Sequence, residues 1–176
     1  HLLQDLLLLA AIDADKWTIE HSEIDVDGLL IALYEAYEPL CHKQNMPLTL
    51  KLSDSPYPQI FTDKERLYQI LSIFLDNALQ HANSKSSIDV ETYQTEKLLS
   101  FLIIDHGLGI ADKDKPYLFD RFYCADTSHN NKNHFGLGLS IAKELADLLS
   151  ADIGIKDTPG GGATFFLSLP YKKEKH

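Results

Sequence analysis

Five groups of residues in this 176-residue chain have types and spacing that chemistry can use. Asp105-His-Gly-Leu-Gly-Ile110 follows an apolar run directly. Gly107 and Gly109 allow backbone to approach a flat ligand, and a carboxylate at a strand end accepts a hydrogen bond from an exocyclic amine; an ordinary loop has the same letters. His134-Phe-Gly-Leu-Gly-Leu-Ser-Ile141 places Gly136 and Gly138 before a helix, whose free N–H groups suit phosphate; a glycine-rich helix start without ligand is the alternative. Ile73, Asn77 and His81 form an i, i+4, i+8 ridge at 3.6 residues per turn. The Asn77 carbonyl is a ligand for a hard cation such as Mg²⁺, which keeps several waters and needs few protein oxygens. In Tyr117-Leu-Phe-Asp-Arg-Phe-Tyr123, Arg121 offers a bidentate fork to a phosphate, while Phe119 and Phe122 would anchor a mobile segment; a small apolar cluster is the plain alternative. Gly160-Gly-Gly-Ala-Thr164 reads as a hairpin turn. There is no GxxxxGK[ST], and Gly107–Gly109 does not open a helix, so neither a Walker site nor a dinucleotide fingerprint is present.

These residues need elements to hold them. Leu2, Leu3, Leu6, Leu7, Leu9, Ala10 and Ala14 give residues 1–15 a wide apolar stripe, as in a multi-helix bundle. Periodicity is already running at Leu2 with no cap before it, which reads as the tail of a longer helix. Trp17–Ile24 is expected as a short strand. Asp25 is the expected N-cap of a helix through Leu40, with Pro39 bending its last turn. Leu48–Leu52 and Gln59–Thr62 are expected strands. Asp63 caps a helix whose apolar face is Leu67, Ile70, Leu71, Phe74, Leu75 and Ala78. Strands follow near 87–93 and 98–104, a helix over Leu139–Leu149, and a final hairpin near 152–157 and 163–169. Residues 110–135 are polar, flanked by glycine and short of apolar periodicity, so they are expected to move when no ligand is bound. The irregular mixture predicts an α+β or α/β two-layer sandwich.

Composition narrows the function. Sixteen Lys and Arg against 26 Asp and Glu leave a net charge of −10, which argues against phosphate-neutralising nucleic-acid binding and against a polybasic membrane surface. The two cysteines have no CxxC spacing, which fits a reduced compartment without a cysteine zinc site. Leu6–Ile12, the longest apolar run, is too short to span a bilayer. Eight of the nine glycines lie beyond residue 100, which points to the C-terminal half for chemistry.

Taken together and in this order, the five groups resemble the catalytic ATP-binding domain of sensor histidine kinases. Leu75-Asp-Asn-Ala-Leu-Gln-His-Ala82 is similar to the N box, Asp105–Ile110 to the G1 box and Phe119–Tyr123 to the F box. Gly136–Lys143 is similar to the G2 box and Gly160–Thr164 to the G3 region. The resemblance implies a Bergerat-type α+β fold, a two-layer α/β sandwich with a mixed sheet packed on three helices. It implies ATP and Mg²⁺ as cofactors. Asp105 would bind the adenine amino group, Asn77 would ligate Mg²⁺, and His81 would lie near the phosphates. Gly107 and Gly109 would admit the adenine and the lid hinge, and Ile110 and Phe119 would also bind the cofactor. Gly136, Leu137, Gly138 and Leu139 would cradle phosphates, Arg121 would approach the γ-phosphate, and Thr164 would line the adenine side. The resemblance divides the chain into residues 1–18, the end of the second helix of a dimerisation and phosphotransfer hairpin, residues 19–170, the catalytic domain, and a charged tail at 171–176. Implied partners are the parent's own phosphotransfer domain, as a homodimer, and a cognate response regulator, with no nucleic acid. The implied place is a cytoplasmic domain of a membrane-anchored parent.

Ile73 stands where the family often has a second Asn. Gln80 and Cys124 stand where basic residues are usual, and His134 where a glycine is usual. No histidine here has the phosphoacceptor context of a following acidic residue, basic residue and Thr-Pro. The chain is therefore expected to transfer phosphate to a histidine outside itself. Two alternatives stay open: a degenerate binding module of the same fold, or a related serine-kinase or ATPase.

Overall fold

A computed structural model describes residues 2–14, 18–81, 86–124 and 136–171. His134, Ala82, the stretch 125–135 and residues 172–176 lie outside the described residues. The elements in chain order are α1 (Leu2–Asp13), β1 (Ser22–Glu23), α2 (Val26–Lys43), β2 (Leu48–Leu50), β3 (Phe61–Thr62), α3 (Lys64–His81), β4 (Ile88–Gln94), β5 (Leu98–Asp105), a 3₁₀ turn (Lys115–Tyr117), α4 (Gly138–Leu148), β6 (Asp152–Asp157) and β7 (Ala163–Pro170).

Five strands form one mixed sheet in the order β2-β4-β5-β7-β6. β2 runs parallel to β4, and the other neighbours are antiparallel. The expected strand at 17–24 shrinks to a two-residue bridge, Ser22–Glu23, paired with Phe61–Thr62. Its alternation is too short for more, and its residues 18–23 are mostly exposed. Helices α2, α3 and α4 cover one face of the sheet. Alternate residues of β5, namely Leu99, Phe101, Ile103 and Asp105, are buried under them. Phe74 of α3 stacks on Phe165 of β7 with ring centroids 5.3 Å apart. α1 packs on α4 and buries Leu9, while Leu3 and Leu7 on its other side are 70% and 61% exposed. No described helix is long and apolar enough to cross a membrane.

The two aspartates expected as caps do cap. Asp25 accepts from Gly28 N at 3.0 Å. Asp63 accepts from Arg66 N with one oxygen and from Glu20 N with the other, both at 3.1 Å. One buried carboxylate thus starts α3 and ties down the chain 43 residues earlier. Asp63→Ala is expected to cost about 2 kcal/mol in urea unfolding, because it removes an N-cap and a second charge-assisted bond. Asp63→Asn keeps one acceptor and should retain part of that. α2 continues through Pro39 to Lys43, with the Gln44 N–H turned back onto Cys41 O and His42 O.

The α2–α3 contact also sets an alkaline limit. The buried Cys41 thiol is pushed up to about 11 by desolvation and then by Glu38. Burial and Asp76 likewise hold the Tyr37 phenol above its ordinary range; it donates to Asp76 Oδ1 at 2.9 Å and to Ser72 O at 3.1 Å. Both groups stay neutral in the fold and ionise more easily once unfolded, so the unfolded chain releases protons that the folded chain keeps. Stability therefore falls as pH rises past the unfolded values of 9.0 and 10.0. Urea midpoints measured from about pH 8 to about pH 11 are expected to drop, and Cys41→Ala should flatten the earlier part of that drop.

Candidate functional site

The residues singled out by sequence gather where β5, α3 and α4 end or begin. Asp105 is the last residue of β5 and lies on the helix-covered face, only 7% exposed. Its Oδ1 accepts from Gly107 N at 2.9 Å. This turn bends the chain sharply after the strand and leaves Oδ2 with no protein hydrogen bond among the described residues. The second oxygen of a carboxylate held this way can accept a donor from outside the fold.

The loop after β5 is locked against the turn before β7. Gly162 has φ +109°, and a Cβ there would sit 2.0 Å from Asp105 O. Gly109 has φ +75°, and a Cβ there would sit 3.2 Å from Gly162 O. No side chain fits between these two backbone segments. The second segment was legible in the sequence only as a turn; its role as the wall of the Asp105 loop comes from this contact. Ile110 is half-buried against the core beside it.

Asn77 is half-buried on α3. Its Nδ2 donates to Ile73 O, one turn earlier, at 3.0 Å, which leaves the amide oxygen as the atom for an incoming cation. His81 ends α3 and is exposed. Ile73, the departure from the family pattern, packs against the start of α4: a Cβ on Gly138 would lie 3.6 Å from Ile73 Cγ2. This contact joins the Asn77 ridge to the glycine-rich helix start.

That helix start differs from the others. α2 and α3 begin on aspartate caps, whereas α4 begins at Leu137 with no side-chain cap. Leu137 and Leu139 are buried, and Ser140 Oγ turns back to Leu137 O at 2.8 Å. Among the described residues no side chain caps the first N–H groups of α4, which suit an anion. Gly136 has a structural reason of its own: with φ +68°, a Cβ would lie 2.5 Å from Tyr123 O.

The segment before residue 125 is held at several points. Phe122 N donates to Gly136 O at 2.9 Å, and Tyr123 Oη donates to Asp114 Oδ1 at 2.7 Å. Lys115 Nζ reaches Asp112 at 2.6 Å and Asp157 at 2.7 Å, and those two carboxylates hold its ammonium above the ordinary lysine range. Leu118 is buried and Phe119 half-buried. Phe122 is not the expected apolar anchor: it is 63% exposed, and its φ of +65° turns the ring outward. Arg121 Nη2 donates to Glu144 Oε1 on α4 at 2.9 Å.

Thr164 does not face Asp105. The β5–β7 register pairs it with Ile104, and neighbouring residues on a strand point to opposite faces. Its hydroxyl, 3% exposed, meets that of Thr158 at 2.9 Å. Ala163 takes the face that Asp105 occupies and has no hydroxyl to offer.

The profile of the histidine kinase-, DNA gyrase B-, and HSP90-like ATPase family matches residues 62–173. The sensor protein CiaH of Streptococcus pneumoniae serotype 4 is 33% identical over 144 residues, covering 79% of this chain and 32% of that protein. The sensor histidine kinase WalK of Bacillus subtilis is 30% identical over 178 residues, covering 99% of this chain and 29% of that protein. The chain thus spans under a third of these relatives. The crystal structure of full-length ShkA in complex with AMPPNP superposes with a TM-score of 0.85 at 26% identity, over 99% of this chain and 36% of that one.

Proposed function

Because this chain belongs to the histidine kinase-, DNA gyrase B-, and HSP90-like ATPase family, we propose that it is the ATP-binding catalytic domain of a sensor histidine kinase. In this reading it passes the γ-phosphoryl group of MgATP to a histidine outside these residues, for onward transfer to a response-regulator aspartate. The carrying observation is the uncapped start of α4 set against the Asn77 ridge of α3 by the Gly138–Ile73 contact. Two further features support it: the open oxygen of Asp105, and relatives that are sensor kinases.

The residues present fit an adenine nucleotide with a divalent cation. Asp105 Oδ2 accepts from the adenine amino group while Oδ1 keeps the turn. The α4 N–H groups at Gly138 and Leu139 take phosphate oxygens, which a helix N-terminus favours electrostatically. The Asn77 amide oxygen is one hard ligand for Mg²⁺, enough where phosphates and water complete the shell. Bound Mg²⁺ supplies charge neutralisation of the phosphates. Arg121 supplies a planar fork for the transferring group. Catalysis in such a site is mostly positioning and electrostatics, so these residues orient the group for in-line transfer and exclude water. A net charge of −10 makes these few contacts carry the whole attraction for a polyanion.

In the same reading residues 1–18 are the end of the second helix of a dimerisation and phosphotransfer hairpin, a role that the exposed Leu3 and Leu7 of α1 support, and the parent is a membrane-anchored homodimer. Titrating MgATP into the wild type and into Asn77→Ala tests the central claim. Magnesium-dependent binding that Asn77→Ala weakens about tenfold is expected. No magnesium-dependent binding by the wild type would overturn it.

A further inference from the structure

We propose that Glu144 is a positioning residue that holds the Arg121 guanidinium on the flank of α4 and yields it to an incoming nucleoside triphosphate. This rests on the nucleotide-binding reading given above. Arg121 Nη2 and Glu144 Oε1 are 2.9 Å apart, with side chains 39% and 34% exposed. Glu144 lies six residues past Gly138, which is roughly 9 Å along the helix at 1.5 Å per residue. The guanidinium is therefore tied one to two turns below the N–H groups that would hold phosphate.

The pair is built to exchange. An ion pair between side chains this exposed is weak and screened by salt. A γ-phosphoryl group carries more charge than a carboxylate and offers three oxygens to a fork that Glu144 engages through one nitrogen. The chain has only two arginines, and Arg66 sits in the first turn of α3, so Arg121 is the arginine of this segment. This competition acts on a ligand whose third phosphate reaches Arg121, and far less on a diphosphate. Glu144 thus sets how far the site favours ATP over ADP, which governs how readily product leaves.

Calorimetric titration of MgATP and of MgADP into the wild type, Glu144→Gln, Glu144→Asp, Arg121→Ala and the Arg121→Ala/Glu144→Gln pair tests this. Glu144→Gln is expected to tighten MgATP about threefold and leave MgADP unchanged, with the gain absent in the Arg121→Ala background. Glu144→Asp, which keeps the charge, should stay near the wild type. An equal shift for both nucleotides, or a gain that survives without Arg121, would overturn the inference and leave the nucleotide-binding reading standing. Failure of the wild type to bind either nucleotide would overturn both.

Discussion

Asp105→Asn is expected to weaken MgATP binding about 100-fold while the protein still folds. The substitution is isosteric, and its retained carbonyl oxygen can still accept from Gly107 N, the turn bond that spans 2.9 Å. At Oδ2 it puts an NH₂ donor where the adenine amino group also donates. Losing a charge-assisted bond costs about 1.5–3 kcal/mol, and opposing two donors in a nearly buried site places the effect at the upper end. That corresponds to roughly two decades in Kd. The mismatch disappears for a base with an acceptor at the same position, so inosine triphosphate should lose far less than ATP. Parallel calorimetric titrations of the two nucleotides check this. An equal loss for both would show that Asp105 acts only by shaping the loop.

The two glycines at the start of α4 are expected to behave oppositely. At Gly138 the protein has room for a methyl group, since a Cβ would stand in ordinary contact with Ile73 Cγ2 at 3.6 Å. Alanine is the better helix former by up to about 1 kcal/mol, so Gly138→Ala should keep or raise the melting temperature. The same methyl crowds the first N–H groups of the helix, and MgATP affinity is expected to fall tenfold or more. At Gly136 a Cβ would collide with Tyr123 O, at a φ of +68° that L residues rarely adopt. Gly136→Ala is expected to cost about 3 kcal/mol of stability whatever is bound. Thermal melts with and without MgATP separate the cases: Gly138→Ala loses the ligand-induced shift, and Gly136→Ala melts early in both.

Much of this was legible before any fold was known. Asp25 and Asp63 cap as read, because a cap is a local bargain between one side chain and the next turn. The face of α3 from Leu67 to Ala78 is buried as its period demands. Asp105 stands at a strand end because an apolar run stops there. Thr164 and Phe122 do not take the places expected of them. Ala163, Thr164 and Phe165 are all buried, with the polar Thr164 and Ser168 on one face of the strand and Ala163, Phe165 and Leu167 on the other. The family resemblance puts Thr164 on the adenine side, whereas the register with Ile104 turns it to the other face. Hydrophobicity alone suggests Phe122 as an anchor, but it has a positive φ where its N–H meets Gly136 O, and its side chain is exposed.

The sequence by itself determined the elements, their caps, the ordered set of motifs and the charge that any polyanion must overcome. These depend on periodicity, single-residue backbone preferences and composition, which act over a few residues or not through geometry at all. Only the tertiary structure decided that Ile73 braces Gly138, that Gly162 walls in Asp105, that Ala163 and not Thr164 shares its face, and that Arg121 rests on Glu144. Each joins residues at least 23 apart, and strand register and helix packing set such pairings across the whole sheet at once.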